Sequence, residues 1–397
     1  MKIVDVRATP VAVPFVAPLR WSLGVCTHAV RTVIEVETDD GIIGVGETSG
    51  ADAAAAVDAH VAPLLRGQHP MLTTRILQAL GAGLNLPYTL PQSVFAAVEM
   101  ACLDAVGRSF GVPVHSLLGG SVRDAIDVCA IVYYRHAAGA TTDEVLDEEA
   151  LCERVGDLAA ATGAPVLKLH GGVRPPREEL HLLSLLQERT PGARWRLDPN
   201  GAWAVATARE VARSLPETRV DIEYLEDPVA HLEGMAQVRR DSPVPLATNM
   251  CVTGFADLAP GIRLGSVDVV LADVHYWGGL RANQRMIAVC DAFQLGVGLH
   301  GHAELGVSLA AMVHLAAASP SMTYAIDVQR FDLAGDIVQE TLPITEGRLA
   351  VPSAPGLGVE LDHDAVERAH RRYLEQPTGD RIEDPRPASW GVTIPVY

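Results

Sequence analysis

The fold this sequence predicts is α/β: a (β/α)8-type barrel with an α+β N-terminal capping domain that the C-terminal segment completes. Three observations predict it. From about residue 126, short apolar runs of strand length alternate with helical patterns eight times. The runs close on polar residues at a steady interval: Asp198, Glu226, Asn249, Asp273, His300 and Asp327 follow one another 23 to 28 residues apart. That is the length of one βα unit when roughly 250 residues make eight of them. Before residue 125, strands come first and helices after, as in a small α+β unit. An open doubly wound sheet would also alternate, but no Gly-x-Gly-x-x-Gly follows the first strand.

The totals agree with two domains. The chain has 397 residues, 48% of them hydrophobic and 20% charged, enough for a large core. A formal charge of −18 argues against nucleic acid and anionic membrane as partners. It leaves a small anionic substrate open, because a local cation can dominate a pocket. No apolar run is long enough to span a bilayer, and charges interrupt the first residues before any signal-peptide core forms. A cytoplasmic protein is the expectation. Six scattered cysteines without a Cys-x-x-Cys pair read as reduced core residues. Of 31 basic side chains only Lys2 and Lys168 are lysine, which singles out Lys168, because lysine alone among the basic residues is readily tuned by its surroundings.

Taken in order, residues 2–14 alternate as a strand, and a loop is expected from about Phe15 to His28. Arg31 to Thr48 reads as a hairpin around Asp39-Asp-Gly41. Ala53 to Leu65 is alanine-rich and helical, and Gln92 to Phe110 has helical apolar spacing that stops at Gly111. The capping domain is assigned to residues 1–125. The barrel, 126–345, is expected to use strands Ile126–Tyr134, Val166–His170, Trp195–Asp198, Ile222–Glu226, Val244–Asn249, Val267–Asp273, Val297–His300 and Tyr324–Asp327. Residues 346–397 form a loop-rich segment with one helix near Asp364 to Leu374 and a Pro-rich tail, expected to pack back on the cap and barrel.

Asp198, Glu226 and Asn249 end three successive strands, and strand ends of such a barrel share the rim where active sites are built. A single acidic residue there is more often a helix cap. Three oxygen donors in a row, joined by basic groups, point to a Mg²⁺ site. Two carboxylates neutralise the ion, and an amide adds an oxygen without adding charge. A bound substrate carboxylate would then place its α-carbon beside a polarising centre. Period-two spacing puts Lys168 and His170 on one side of their strand, on one flank of the oxygen donors. His300 stands on the other flank, and Asp273 is placed to accept from its far nitrogen. His275 and His302 are weaker functional candidates, with a supporting place behind the site or a place on the surface as the alternative. Asn200 either contacts ligand or ties the turn after Asp198.

At these residues the chain resembles the enolase superfamily, in its mandelate-racemase branch, and most of all the glucarate dehydratase group. The matching runs are Lys168-Leu-His170-Gly-Gly-Val, Leu197-Asp-Pro-Asn-Gly-Ala-Trp203, Tyr224-Leu-Glu-Asp-Pro228, Ala247-Thr-Asn-Met250, Leu271-Ala-Asp-Val-His-Tyr-Trp277, His300 and Pro355-Gly-Leu-Gly-Val-Glu360. The resemblance implies Mg²⁺ on Asp198, Glu226 and Asn249, a His300–Asp273 base, Lys168 supporting the substrate carboxylate, and substrate selection by residues 15–30 and the C-terminal segment. Substrate contacts are expected from Asn200, His275 and Gln329. The implied reaction is loss of water from an acid sugar to give a 2-keto-3-deoxy acid, in a chain that assembles with copies of itself. The chain departs from the group in three places. His170 replaces the second lysine of Lys-x-Lys, a tyrosine expected on the first barrel strand is replaced near Ile131, and Gln329 replaces a histidine after strand eight. With bases on both flanks, an epimerase or racemase of an acid sugar or related carboxylate is the alternative; a catalytically silent ligand-binding relative is a third.

Overall fold

The computed structural model of the chain describes residues 1–83, 90–135, 147–375 and 381–382. The eight barrel strands are Ala125–Val132, Val166–His170, Arg194–Asp198, Ile222–Glu226, Leu246–Thr248, Val269–Ala272, Gly296–Leu299 and Met322–Val328. All pair in parallel with their sequence neighbours, and the eighth pairs with the first, closing the barrel. Val, Leu, Ile and Trp side chains on the outer faces of the strands pack against the surrounding helices in one continuous core. The register aligns Lys168 with Arg196 and His170 with Asp198, so charged side chains occupy the upper interior in layers. Lower down the filling turns to Tyr224, Ala247, Val269 and Leu271.

The cap is an antiparallel sheet backed by the helix Leu90–Phe110. Gly44 and Gly46 let that helix approach, for a Cβ on either would meet a helix carbonyl oxygen at 2.0 Å. The expected loop at 15–28 is instead strand. Ile3–Trp21 and Gly24–Thr38 run as one long hairpin, with a register shift between Pro14 and Leu19 that accommodates Pro18. Its far end is held on both edges, by Tyr134–Arg135 beside Leu19 and Arg20 and by Arg381–Ile382 beside Val25 and Cys26. These partners are remote in sequence, which is why local alternation did not announce the strand. Phe15, Leu19, Cys26 and Ala29 of the hairpin pack on Ile131, Tyr133 and Ala303, so its far end covers the barrel mouth.

The helix His363–Glu375 returns to the first strand, where His370 Nδ1 lies 2.7 Å from the Pro10 carbonyl oxygen. The Pro-rich tail, 383–397, lies outside the described residues. Among the described residues, no helix is long and apolar enough to cross a membrane.

Two buried carboxylates fasten cap to barrel. Glu47 accepts from Arg31 Nε at 2.7 Å and from the amides of Leu305 and Ser308 at 3.0 and 2.9 Å. Glu99 accepts from the Arg281 amide at 3.2 Å, at the first turn of the barrel helix Leu280–Ala292. Burial pushes the Glu99 carboxyl up to about 7, and the helix terminus and Arg281 only partly oppose it. The folded protein therefore holds this proton through a pH window in which the unfolded chain has released it, so Glu99 makes stability fall as pH rises from about 4.5 to about 7. Glu99→Gln is expected to gain stability relative to wild type between pH 5 and pH 8, measured by denaturant unfolding at several pH values. A difference independent of pH would refute the assignment.

Candidate active site

Every charged group of the site projects from a barrel strand or from the turn that follows it. Lys168 lies fully buried, with its Nζ 2.5 Å from Asp327 Oδ2, 3.2 Å from both Glu226 oxygens and 3.8 Å from Asp198 Oδ2. Burial alone would pull the ammonium down, but the charges of Asp327, Glu226 and Asp198 outweigh it and hold Lys168 well above its ordinary value. Below it, Arg196 donates to Asp327 Oδ1 at 2.9 Å and to Glu223 at 2.7 Å, and lies 4.6 Å over the Tyr224 ring. Asp327, expected only as a strand end, thus joins the two buried cations of the barrel axis.

The three sequence-predicted oxygen donors converge. Burial, then repulsion from Asp198, raises the Glu226 carboxyl to about 8; burial raises Asp198 to about 6. One end of the Asn249 amide lies 3.0 Å from both Glu226 Oε1 and Asp227 Oδ2, and the other 3.3 Å from His300 Nε2. With protein groups alone, the amide nitrogen must face the carboxylates; a cation shared with Glu226 would draw the oxygen there instead. Two buried carboxylates with raised proton affinity and an adjacent amide oxygen are a donor set that suits a hard divalent cation. Among the described residues no three His, Cys, Asp or Glu side chains form a metal-binding group, because the third donor here is an amide.

The turns that carry these groups are strained. Asn200, Asp227 and Ala303 have positive φ of 51°, 35° and 51° at the barrel mouth. Asp227 holds the turn at Asn249 by accepting from Thr248 Oγ1 at 2.5 Å and from the amides of Asn249 and Met250 at 2.8 and 3.1 Å.

The two histidines are oriented by different partners. Asn200 donates from its amide nitrogen to Asp198 Oδ2 at 3.0 Å, so its oxygen faces His170 Nδ1 at 2.9 Å. His170 Nδ1 therefore carries the proton, and its Nε2, buried, has no hydrogen-bond partner among the described residues. Burial, then the Lys168 charge, keeps this ring well below its usual pKa. The ring stacks on Tyr133 at 4.3 Å between centroids. His300 Nδ1 lies 2.9 Å from Asp273 Oδ2. Burial opposes protonation of His300, but the hydrogen bond and charge of Asp273 raise it to about 9. Asp273 is itself fixed by the amides of His275 and Tyr276 at 2.7 and 2.8 Å.

The remaining candidates divide. Gln329 accepts from the Ala303 amide at 3.0 Å and from Tyr133 Oη at 3.2 Å. His275 turns towards the cap, its Nε2 accepting from Arg31 at 2.8 Å. His302 stacks on Trp21 and, with His28, Arg31, Tyr133 and Gln329, lines a cavity of about 30 Å³ under the hairpin.

A closed barrel whose rim gathers carboxylates, an amide, a lysine and two oriented histidines beneath a capping hairpin is built as an enzyme site. The chain matches the family models "Mandelate racemase / muconate lactonizing enzyme, N-terminal domain" over residues 3–119 and "Enolase C-terminal domain-like" over 150–365. It is 40% identical to the probable glucarate dehydratase of Streptomyces coelicolor, over 94% of this chain and 92% of that protein. It is 29% identical to muconate cycloisomerase 1 of Rhodococcus opacus, over 92% and 98%. An enolase from Thermobispora bispora, crystallised with magnesium and formate, superimposes with a TM-score of 0.90 at 38% identity, covering 96% of this chain and 95% of that one. The chain is an enzyme of the enolase superfamily, in its mandelate-racemase branch.

Asp327→Asn is expected to cost ~3–5 kcal/mol of stability, because it leaves Lys168 and Arg196 buried with one counter-charge fewer. Chemical denaturation checks this; a loss under ~1 kcal/mol would mean that Glu226 and Asp198 suffice.

Proposed function

We propose that the enzyme is a magnesium-dependent acid-sugar dehydratase that removes the proton α to a carboxylate and eliminates water to give a 2-keto-3-deoxy acid. The observation that carries this reading is the pair of oriented histidines flanking the oxygen donors, one with a bare Nε2 and one paired through Nδ1 with a carboxylate. Asp198, Glu226 and Asn249 would hold Mg²⁺. When bound, the ion supplies the positive charge that stabilises an enediolate.

The protein's own groups divide the remaining work. Lys168, locked on Asp327, presents its ammonium to the substrate carboxylate. Asn200 orients His170 rather than meeting the substrate through its side-chain oxygen, and His170 Nε2 accepts the α-proton. His300, kept protonated by Asp273, delivers a proton to the departing hydroxyl. The dehydratase name of the Streptomyces relative and the magnesium in the Thermobispora structure support this reading. The same two histidines would also serve an epimerase, in which one ring keeps the abstracted proton and the other delivers its own to the opposite face.

Proton NMR in D₂O with Mg²⁺ and a panel of mono- and diacid sugars tests the proposal. Loss of the α-proton signal together with a keto-deoxy product is expected; an epimer without keto acid would replace dehydration by racemisation. Asn249→Ala and Asp198→Asn are expected to abolish exchange, and retention would overturn the metal assignment. His170→Asn is expected to slow α-proton removal roughly 10²–10⁴-fold. His300→Asn is expected to leave exchange but suppress product, and the reverse pattern would exchange their roles.

A further inference from the structure

Glu179 is a charged residue that the reaction does not use and that is nevertheless fully buried beside the site. It lies in the first turn of the helix Pro176–Arg189, immediately after the loop that leaves His170. Its Oε2 accepts from the Gly172 amide at 2.9 Å, and its Oε1 from the amides of Val173 and Arg174 at 2.9 and 3.0 Å. Three successive N–H groups thus curl around one carboxylate, an arrangement suited to holding an anion. Tyr134 Oη also approaches Oε1, at 3.4 Å. Tyr134 directly follows Tyr133, whose ring stacks on His170.

The loop has little freedom elsewhere. Gly172 has a φ of 70°, and a Cβ there would meet Pro199 O, Ala202 and Ser22 at 2.8–2.9 Å. The loop therefore sits between the tip of the capping hairpin and the turn that carries Asn200. Burial pushes the Glu179 carboxyl up to about 7 against the pull of these amides, so an unsupported carboxylate would not be tolerated at this position.

We propose that Glu179 is a positioning residue for the base. Through the 172–174 amides it fixes the chain leaving His170, and through Tyr134 it steadies the strand end that presents Tyr133 to the imidazole. This inference rests on the reading of His170 as the group that takes the α-proton. A rotation of the ring would move Nε2 away from the substrate carbon, and catalysis is sensitive to misplacements of that kind.

Glu179→Gln keeps the shape but turns an amino group towards at least one N–H donor. In the full-length, Mg²⁺-loaded protein, hydrogen exchange at residues 172–174 is expected to rise at least tenfold. The rate of α-proton removal at saturating substrate is expected to fall roughly 10²-fold, with KM and Mg²⁺ affinity within a factor of about two. Glu179→Asp keeps the charge, shortens the reach, and is expected to fall between the two proteins; it serves if the glutamine variant does not fold. Unchanged amide exchange would show that Glu179 does not hold the loop. Faster amide exchange with unchanged α-proton removal would show that the loop does not position the base. Wild-type protein provides the control: if it exchanges no α-proton, the reading of His170 fails, while the amide measurement still decides whether Glu179 holds the loop.

Discussion

The site depends on one buried ammonium. Lys168 meets Asp327, Glu226 and Asp198 at the centre of the barrel, with all four side chains fully buried. Each of these carboxylates would be costly alone, and so would the lysine. Together they form a network that joins the second, third, fourth and eighth strands across the interior. Barrel interiors of this kind are commonly filled with Val, Ile and Leu. This one gives up part of that packing to a charged layer, and Arg196 with Glu223 extends the charge pairing downward until Tyr224 and its apolar neighbours take over.

The two histidines show how environment divides identical side chains. His170 is buried beside a cation and faces an amide, so it is neutral with its lone pair on Nε2. His300 is buried beside a carboxylate and holds its proton. Neither role belongs to imidazole as such. Each follows from the partner of Nδ1, and each partner is in turn fixed, Asn200 by Asp198 and Asp273 by two backbone amides. In the proposed reaction this would supply an acid and a base at the same pH without a change of residue type.

The cap is part of the site rather than an appendage. Arg31 and Glu47 tie it to the turn after the seventh strand and to the following helix, and that tie takes up His275. The hairpin then lays Trp21 edge-to-face against His170 and stacked on His302, and packs Phe15 and Leu19 on the first and seventh strand ends. Side chains from the cap hairpin and from the mouths of the first, seventh and eighth barrel strands therefore share one small cavity.

Much of this was legible in the sequence. The spacing of Asp198, Glu226 and Asn249 marked successive strand ends, because each βα unit of a barrel needs a similar length, and the Lys168–His170 spacing placed both side chains on one face, because a strand has period two. The rest required tertiary contacts. Local pattern placed a loop at 15–28, yet Tyr134–Arg135 and Arg381–Ile382, remote along the chain, make it strand. Glu179 looks no different from Glu178 beside it until the loop amides fold around it. His275 and His300 both follow barrel strands, and tertiary contacts turn the first to Arg31 and the second to Asp273. The sequence by itself determined which chemical groups stand at which strand ends, since that is a matter of period and interval. The tertiary structure decided which nitrogen each ring leaves bare and which carboxylate meets which cation, since those depend on partners brought together only when the barrel closes and the cap settles on it.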